Sequence, residues 1–199
     1  MVMDHHNFTN QVVLITGAGR GIGRALAVAF AAQGAHIAAN DLNPIGIEQT
    51  LAEVSAVGGQ GREYTFDVAK RMPVQALLDQ VLEDWGRVDI LINNAAVEPV
   101  AAILDMDEWD WHRTLDVNLG GAFFALQHAG RAMRAQGGGV IVNLAAAESY
   151  LADRPHRAAF AASKAGLLGL TRYAARELAP YHIRVLAVCP AAADTESLR

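Results

Sequence analysis

Three short stretches of this sequence hold residues whose types and spacing suit chemistry. The first is "TGAGRGIG", Thr16 to Gly23, which follows the apolar, β-branched run "QVVLIT". A helical pattern begins inside it, so its backbone N–H groups stand at a helix N-terminus, where they can meet a pyrophosphate. Glycine suits such a loop because a Cβ would hold phosphates off. The spacing of Gly17, Gly21 and Gly23 follows TGxxxGxG rather than GxGxxG, and a glycine cluster by itself is also compatible with an ordinary tight turn. The second stretch is a pair of acids, Asp41 and Asp67, each expected to end a strand. Asp41 can accept hydrogen bonds from the hydroxyls of an adenosine ribose and would repel a 2′-phosphate, which favours NAD over NADP. Arg20 pulls the other way, as a cation for an added phosphate, or is a solvated surface charge. Asp67 suits an adenine contact or a helix N-terminal acid. The third is "AAFAASKAGLLGLTR", Ala158 to Arg172, in which Phe160 precedes Lys164 by four residues.

The elements that must position these residues recur as a theme. Apolar runs "QVVLITG", "AHIAAND", "REYTFDV", "VDILINNAA", "GVIVNLA" and "IRVLAVCP" predict six strands. Between them, helical patterns run over about Gly21 to Gly34, Pro44 to Val57, Met72 to Trp85, Met106 to Ala135 and Ala158 to Leu178, with Gly34 as a C-cap. Strands alternating with helices predict right-handed βαβ crossovers and a parallel sheet covered on both faces. No repeat, linker or low-complexity block interrupts the pattern, and 199 residues at 52% hydrophobic content suit a single domain over 1–199.

Composition narrows the partners. A net charge of -5 with scattered Lys and Arg offers no basic stripe for a phosphate backbone, so nucleic acid is not expected. The one cysteine, Cys189, lies in an apolar run where a thiol acts as a small hydrophobe, which fits a reducing, cytoplasmic setting. "MVMDHHNFTN" lacks the basic start and apolar run of a signal peptide, and no later stretch is long enough to span a bilayer. His5 and His6, adjacent at a terminus without further ligands, do not make a metal site.

Taken in order, "TGAGRGIG", Asp41, the "DV" of Asp67 and Val68, "NNAA" from Asn93 to Ala96, "VNLGG" around Asn118, "SKAGLLGLTR" from Ser163 and "ELAPYHIRVLAVCP" leading to Thr195 resemble the classical short-chain dehydrogenase/reductase family. The resemblance covers nearly the whole chain. It implies a Rossmann-type doubly wound sheet of order 3-2-1-4-5-6, an NAD(H) or NADP(H) cofactor, and hydride transfer at an alcohol or carbonyl carbon. It would put Gly17, Gly21 and Gly23, with Arg20 and Ile22 between them, at the pyrophosphate, and Asp67, Val68, Asn94 and Ala95 at the adenine and adjacent ribose. Lys164 would hold the nicotinamide ribose, Thr195 the carboxamide, and Asn118 a bend in its helix and a water leading to Lys164. Homodimers or homotetramers through the helices around Asn118 and from Ala158 to Leu178 are implied as well.

Four positions depart from the family pattern. Phe160 stands where the family keeps its proton-donating Tyr, and Ala146 or Ala147 where it keeps a Ser; Ala96 and Ala191 replace glycines. A phenol beside an ammonium delivers the proton that carbonyl reduction requires, a contribution of about 10²–10⁴ in rate, and Phe deletes its oxygen alone. Ser149, Tyr150 and His156, in the loop before Phe160, are the candidate substitutes. The family also continues through a substrate loop and a seventh strand, whereas this sequence stops at Arg199, so a final strand "IRVLAVC" is expected to be an exposed edge of a fragment, or to be covered by a partner. Two functions are compatible with these features: an oxidoreductase with weakened chemistry, and a catalytically silent NAD-binding relative with a structural or regulatory role.

Overall fold

The computed structural model describes residues 7–147 and 154–190. Strand β1 (Val12–Thr16) leads to helix α1 (Gly21–Ala31), β2 (His36–Asn40) to α2 (Pro44–Ala56), and β3 (Gln60–Tyr64) to α3 (Arg71–Trp85). After β4 (Ile90–Asn93) come α4 (Glu108–Leu115), a π-helical segment (Asp116–Gly121) and α5 (Ala122–Gln136). Strand β5 (Gly139–Leu144), α6 (Ala158–Leu178), a short 3-10 turn (Ala179–Tyr181) and β6 (Ile183–Val188) complete the described chain. All strand pairs are parallel, and the order is β3-β2-β1-β4-β5-β6, as the resemblance implied.

Alternation along β1, with both faces buried, explains why its sequence is apolar up to Thr16. Val12 and Leu14 face a core made with Leu77, Val81, Ala129 and Met133 of α3 and α5. Val13 and Ile15 face a second core with Ala27, Ile47 and Val54 of α1 and α2. A strand buried on both faces needs apolar residues at every position. Because β2 and β4 flank β1 on opposite sides, the connections leaving their carboxyl ends diverge and open a crevice there.

Three expectations are corrected in detail. Strand β3 stops at Tyr64, so Asp67 lies in the connection beyond it; the Asn40 side chain donates to the carbonyls of Tyr64 and Phe66 where another strand partner would be needed. The expected helix from Met106 to Ala135 is divided into α4, which Asp107 caps by accepting from the Asp110 N–H, the π-helical segment, and α5. The last strand is indeed an edge of the described sheet, but its burial alternates rather than being complete: Leu186 and Val188 are 49% and 47% exposed, and Cys189 is exposed rather than packed.

Among the described residues no helix is long and apolar enough to cross a membrane, and no group of three or more His, Cys, Asp or Glu could hold a metal ion. Ser149, Tyr150, Ala191 and Thr195, with His5 and His6, lie outside the described residues.

Candidate functional site

A cleft of about 710 Å³ opens at the carboxyl ends of the strands, within the range of roughly 300–1,000 Å³ usual for small-molecule and cofactor sites. One end is the glycine loop, and the other is the wall made by Phe160 and Lys164 of α6.

The loop is fixed by the element next to it. Thr16 Oγ1 donates to the Ile92 carbonyl and accepts from the N–H groups of Asn94 (3.0 Å) and Ala95 (3.1 Å). Asn94 Nδ2 donates in turn to the carbonyls of Thr16 (3.0 Å) and Gly17 (2.9 Å). Gly17 has φ +66°, and a Cβ on it would stand 2.8 Å from Ala95 Cα. Gly21 opens α1 at φ +54°, beside Arg20 and Ile22 on the cleft wall. Gly23 is buried behind them: its Cβ would lie 2.1 Å from the Gly17 carbonyl oxygen, so this glycine lets the helix start pack against the loop.

Two residues without prior signal support the loop from outside. The Arg24 guanidinium donates to the carbonyl of Gly19 and to Thr50 Oγ1 (3.1 Å), and Thr50 Oγ1 donates to the Ala18 carbonyl (2.8 Å). Asp41, one residue past β2, accepts from the Gly19 N–H (2.9 Å) through one carboxylate oxygen and from the Asn43 N–H (3.0 Å) through the other. Its carboxylate therefore braces the loop while lining the cleft, and each oxygen retains a further lone pair for a ligand hydroxyl.

At the far side of the loop, Asp67 accepts from the Ala69 N–H (3.0 Å) and pairs with Arg113 of α4 at 3.4 Å. Val68 lines the cleft, and its carbonyl packs where a Cβ on Gly121 would come within 2.8 Å, so the π-helical segment can end against it.

The α6 end is built around buried polar groups. Asn118, 1% exposed, accepts from the Val97 N–H (2.8 Å) and donates to the Val97 carbonyl and Ser163 Oγ (both 3.0 Å). Ser163 Oγ donates to the Phe160 carbonyl (2.7 Å). The Asn118 carboxamide thus reaches α6 at Ser163, the residue before Lys164. Lys164, 3% exposed, donates from Nζ to the Leu144 carbonyl at 2.6 Å, and Nζ lies 5.5 Å from the centre of the Phe160 ring. Burial pushes its ammonium down to about 8. Ala146, two residues past β5, is buried.

The loop after β4 is tied to the start of α6. Glu98, on the cleft wall, forms an ion pair with Arg157, and the Ala101 N–H donates to the His156 carbonyl at 3.0 Å. His156 itself is exposed, at φ +64°. Arg113, Glu98 and Arg157 carried no motif; of the three, only Glu98, a charge within the apolar stretch "AAVEPVAAIL", had a local signal.

The arrangement suits a dinucleotide: glycines at positive φ bring backbone close to the cleft, an acid stands after β2, and a buried cation lies some way along. The family model for short chain dehydrogenase matches residues 11–199. An uncharacterized oxidoreductase of Thermotoga maritima is 42% identical over 192 residues, covering 96% of this chain and 75% of the relative. D-threitol dehydrogenase of Mycolicibacterium smegmatis is 40% identical over 94% of this chain and 71% of its own length. The solved structure of NAD+-bound xylitol dehydrogenase superposes with a TM-score of 0.89 at 38% identity, covering 92% of this chain and 71% of that one. With a match from the residue before β1 to the last residue, on a doubly wound sheet that superposes on the xylitol dehydrogenase structure, this chain belongs to the short-chain dehydrogenase family.

Proposed function

We propose that this chain binds NAD(H) in the cleft and carries its family's alcohol–carbonyl chemistry in slowed form, on a polyhydroxy alcohol or the corresponding ketone. The observation that carries this reading is that one cleft joins the glycine loop and Asp41 at one end to Lys164 at the other. Gly17, Arg20, Gly21 and Ile22 would face the pyrophosphate, Asp41 the adenosine ribose, Asp67, Val68, Asn94 and Ala95 the adenine side, and Lys164 the nicotinamide ribose. When bound, the dinucleotide supplies or accepts the hydride. The chain's own part is to hold both reactants, exclude water and move a proton.

Phe160 and Ala146 stand for the family's Tyr and Ser, so both usual polar contacts to the reacting oxygen are replaced by apolar groups. The same pair of residues favours the second reading, a silent NAD-binding relative. The substrate class rests on the similarity to the threitol and xylitol dehydrogenases and on the Glu98 carboxylate in the cleft wall, whose lone pairs not used by Arg157 can accept hydrogen bonds from hydroxyls.

A fluorescence titration with NADH and NADPH tests the cofactor reading. NADH is expected to bind at least tenfold more tightly, because Asp41 opposes a 2′-phosphate; equal or reversed dissociation constants would overturn the assignment and make Arg20 the deciding residue. A reduction assay on the same samples separates slow turnover from none.

A further inference from the structure

We infer that Lys164 itself is the proton donor to the substrate oxygen in this protein, in place of the phenol that Phe160 cannot provide. This rests on the reading of the cleft as a nicotinamide-dinucleotide site.

The geometry that supports it is local. Lys164 Nζ is anchored by one hydrogen bond to the Leu144 carbonyl and lies 5.5 Å from the centre of the Phe160 ring, both residues standing on the wall of the cleft. An ammonium has three donors, so with one on Leu144 others remain for a ligand in the cleft that Lys164 lines. Of the four acids lining this cleft, Asp41 is engaged with the Gly19 and Asn43 N–H groups, Asp67 with Arg113 and Glu98 with Arg157, and Asp110 stands on α4 one turn before Thr114. Arg20 before α1, Arg113 on α4 and Glu98 on the loop after β4 carry charge on the same cleft wall, Arg157 on the approach to α6 pairs with Glu98, and among the described residues none forms an ion pair with Lys164. Its acidity is set by burial rather than by a charged neighbour, which lowers it into the range where an amine can both give and regain a proton near neutral pH.

The step balances simply. The carbonyl carbon gains hydride from the reduced dinucleotide, the carbonyl oxygen takes a proton from the ammonium, and the alcohol and the oxidised dinucleotide leave. The neutral amine then regains its proton from water. In the oxidative direction the neutral amine accepts the alcohol proton.

The sequence makes the test clean, because Lys70 and Lys164 are its two lysines and Lys70 is exposed. Protein grown on lysine labelled with ¹³C at Cε gives two side-chain signals, whose shifts against pH report each ionisation without any turnover. The second measurement is the single-turnover reduction of an electron-poor α-keto ester by saturating NADH across the same pH range, for the unmodified chain, Lys164→Met, Lys164→Arg, Tyr150→Phe and Phe160→Tyr. The inference expects the unmodified rate to fall as pH rises through the midpoint of the Lys164 signal. Lys164→Met should be at least a hundredfold slower with NADH bound, Lys164→Arg should lose the pH limb, and Tyr150→Phe should change neither. Phe160→Tyr should raise the rate and uncouple the limb from the lysine midpoint. A limb that survives in Lys164→Met or Lys164→Arg, a Lys164 midpoint more than one pH unit from the limb, or a rate abolished by Tyr150→Phe would overturn it. NADH binding without any turnover overturns this inference alone, whereas absence of NADH binding overturns the reading of the cleft as well.

Discussion

Lys164 holds a charge where the fold admits almost no water, and that has a thermodynamic signature apart from any catalysis. Its ammonium titrates near 8 in the folded protein against an ordinary 10.5. Between those values the unfolded chain binds more protons, so folding stability contributed by this group rises as pH climbs from about 8 to 10.5; below 8 the penalty of burying the charge is present in full. The span corresponds to about 3 kcal/mol. Urea unfolding of the unmodified chain and Lys164→Met, at pH 7 and at pH 10.5, should show their stability difference shifting in favour of the lysine by an amount approaching this. A pH-independent difference would mean that the ammonium is better solvated than its 3% exposure suggests. At this scale the site was legible in part. The register of Phe160 and Lys164 followed from the sequence because they share one helix, and Asp41 was visible as an acid after a strand. Its two backbone partners, and the brace that Arg24 and Thr50 give the loop, were not legible, since Arg24 and Thr50 meet only once α1 and α2 are packed together.

The π-helical segment between α4 and α5 shows why an element can be misjudged from its residues. Apolar periodicity continues from Trp109 through Met133, and nothing in it reveals one added residue per turn. What determines the local winding lies outside the helix: Asn118 spans to the backbone of Val97 and to Ser163, and Gly121 meets the carbonyl of Val68. This cross-link joins three elements, β4's outgoing loop, the π-helical segment and α6. Asn118→Ala would leave the Val97 N–H and carbonyl without their partner in a part-buried place, a cost of about 1 kcal/mol. It should also loosen the position of α6, so thermal denaturation and NADH affinity are both expected to fall. Unchanged NADH affinity in a measurably destabilised variant would show that the cross-link supports folding but not the cleft. The early end of β3 has the same kind of cause, the Asn40 side chain acting on carbonyls that lie far along the chain.

For the whole molecule, the parallel sheet was legible because each βα unit is local and crossovers have one hand, and the strand order through the family resemblance, whereas the ion pairs that shape the cleft join residues far apart in sequence. Association belongs to this scale. Phe123 on α5 and Tyr173 on α6 are exposed aromatic residues on the two helices through which self-association was expected. We propose a homodimer there: light scattering at micromolar concentration should give twice the chain mass, and Phe123→Arg with Tyr173→Arg should halve it. A monomeric unmodified chain would exclude that interface.

Cys189 is exposed at the end of β6, and the next residue, Pro190, belongs to the wall of the cleft. The molecule therefore carries a single sulfhydryl, already positioned for site-specific attachment, at the rim of the space it is proposed to fill. A thiol-reactive dye coupled there would sit next to the entrance without any cysteine having to be engineered in or out, turning ligand arrival into an optical signal that does not depend on turnover.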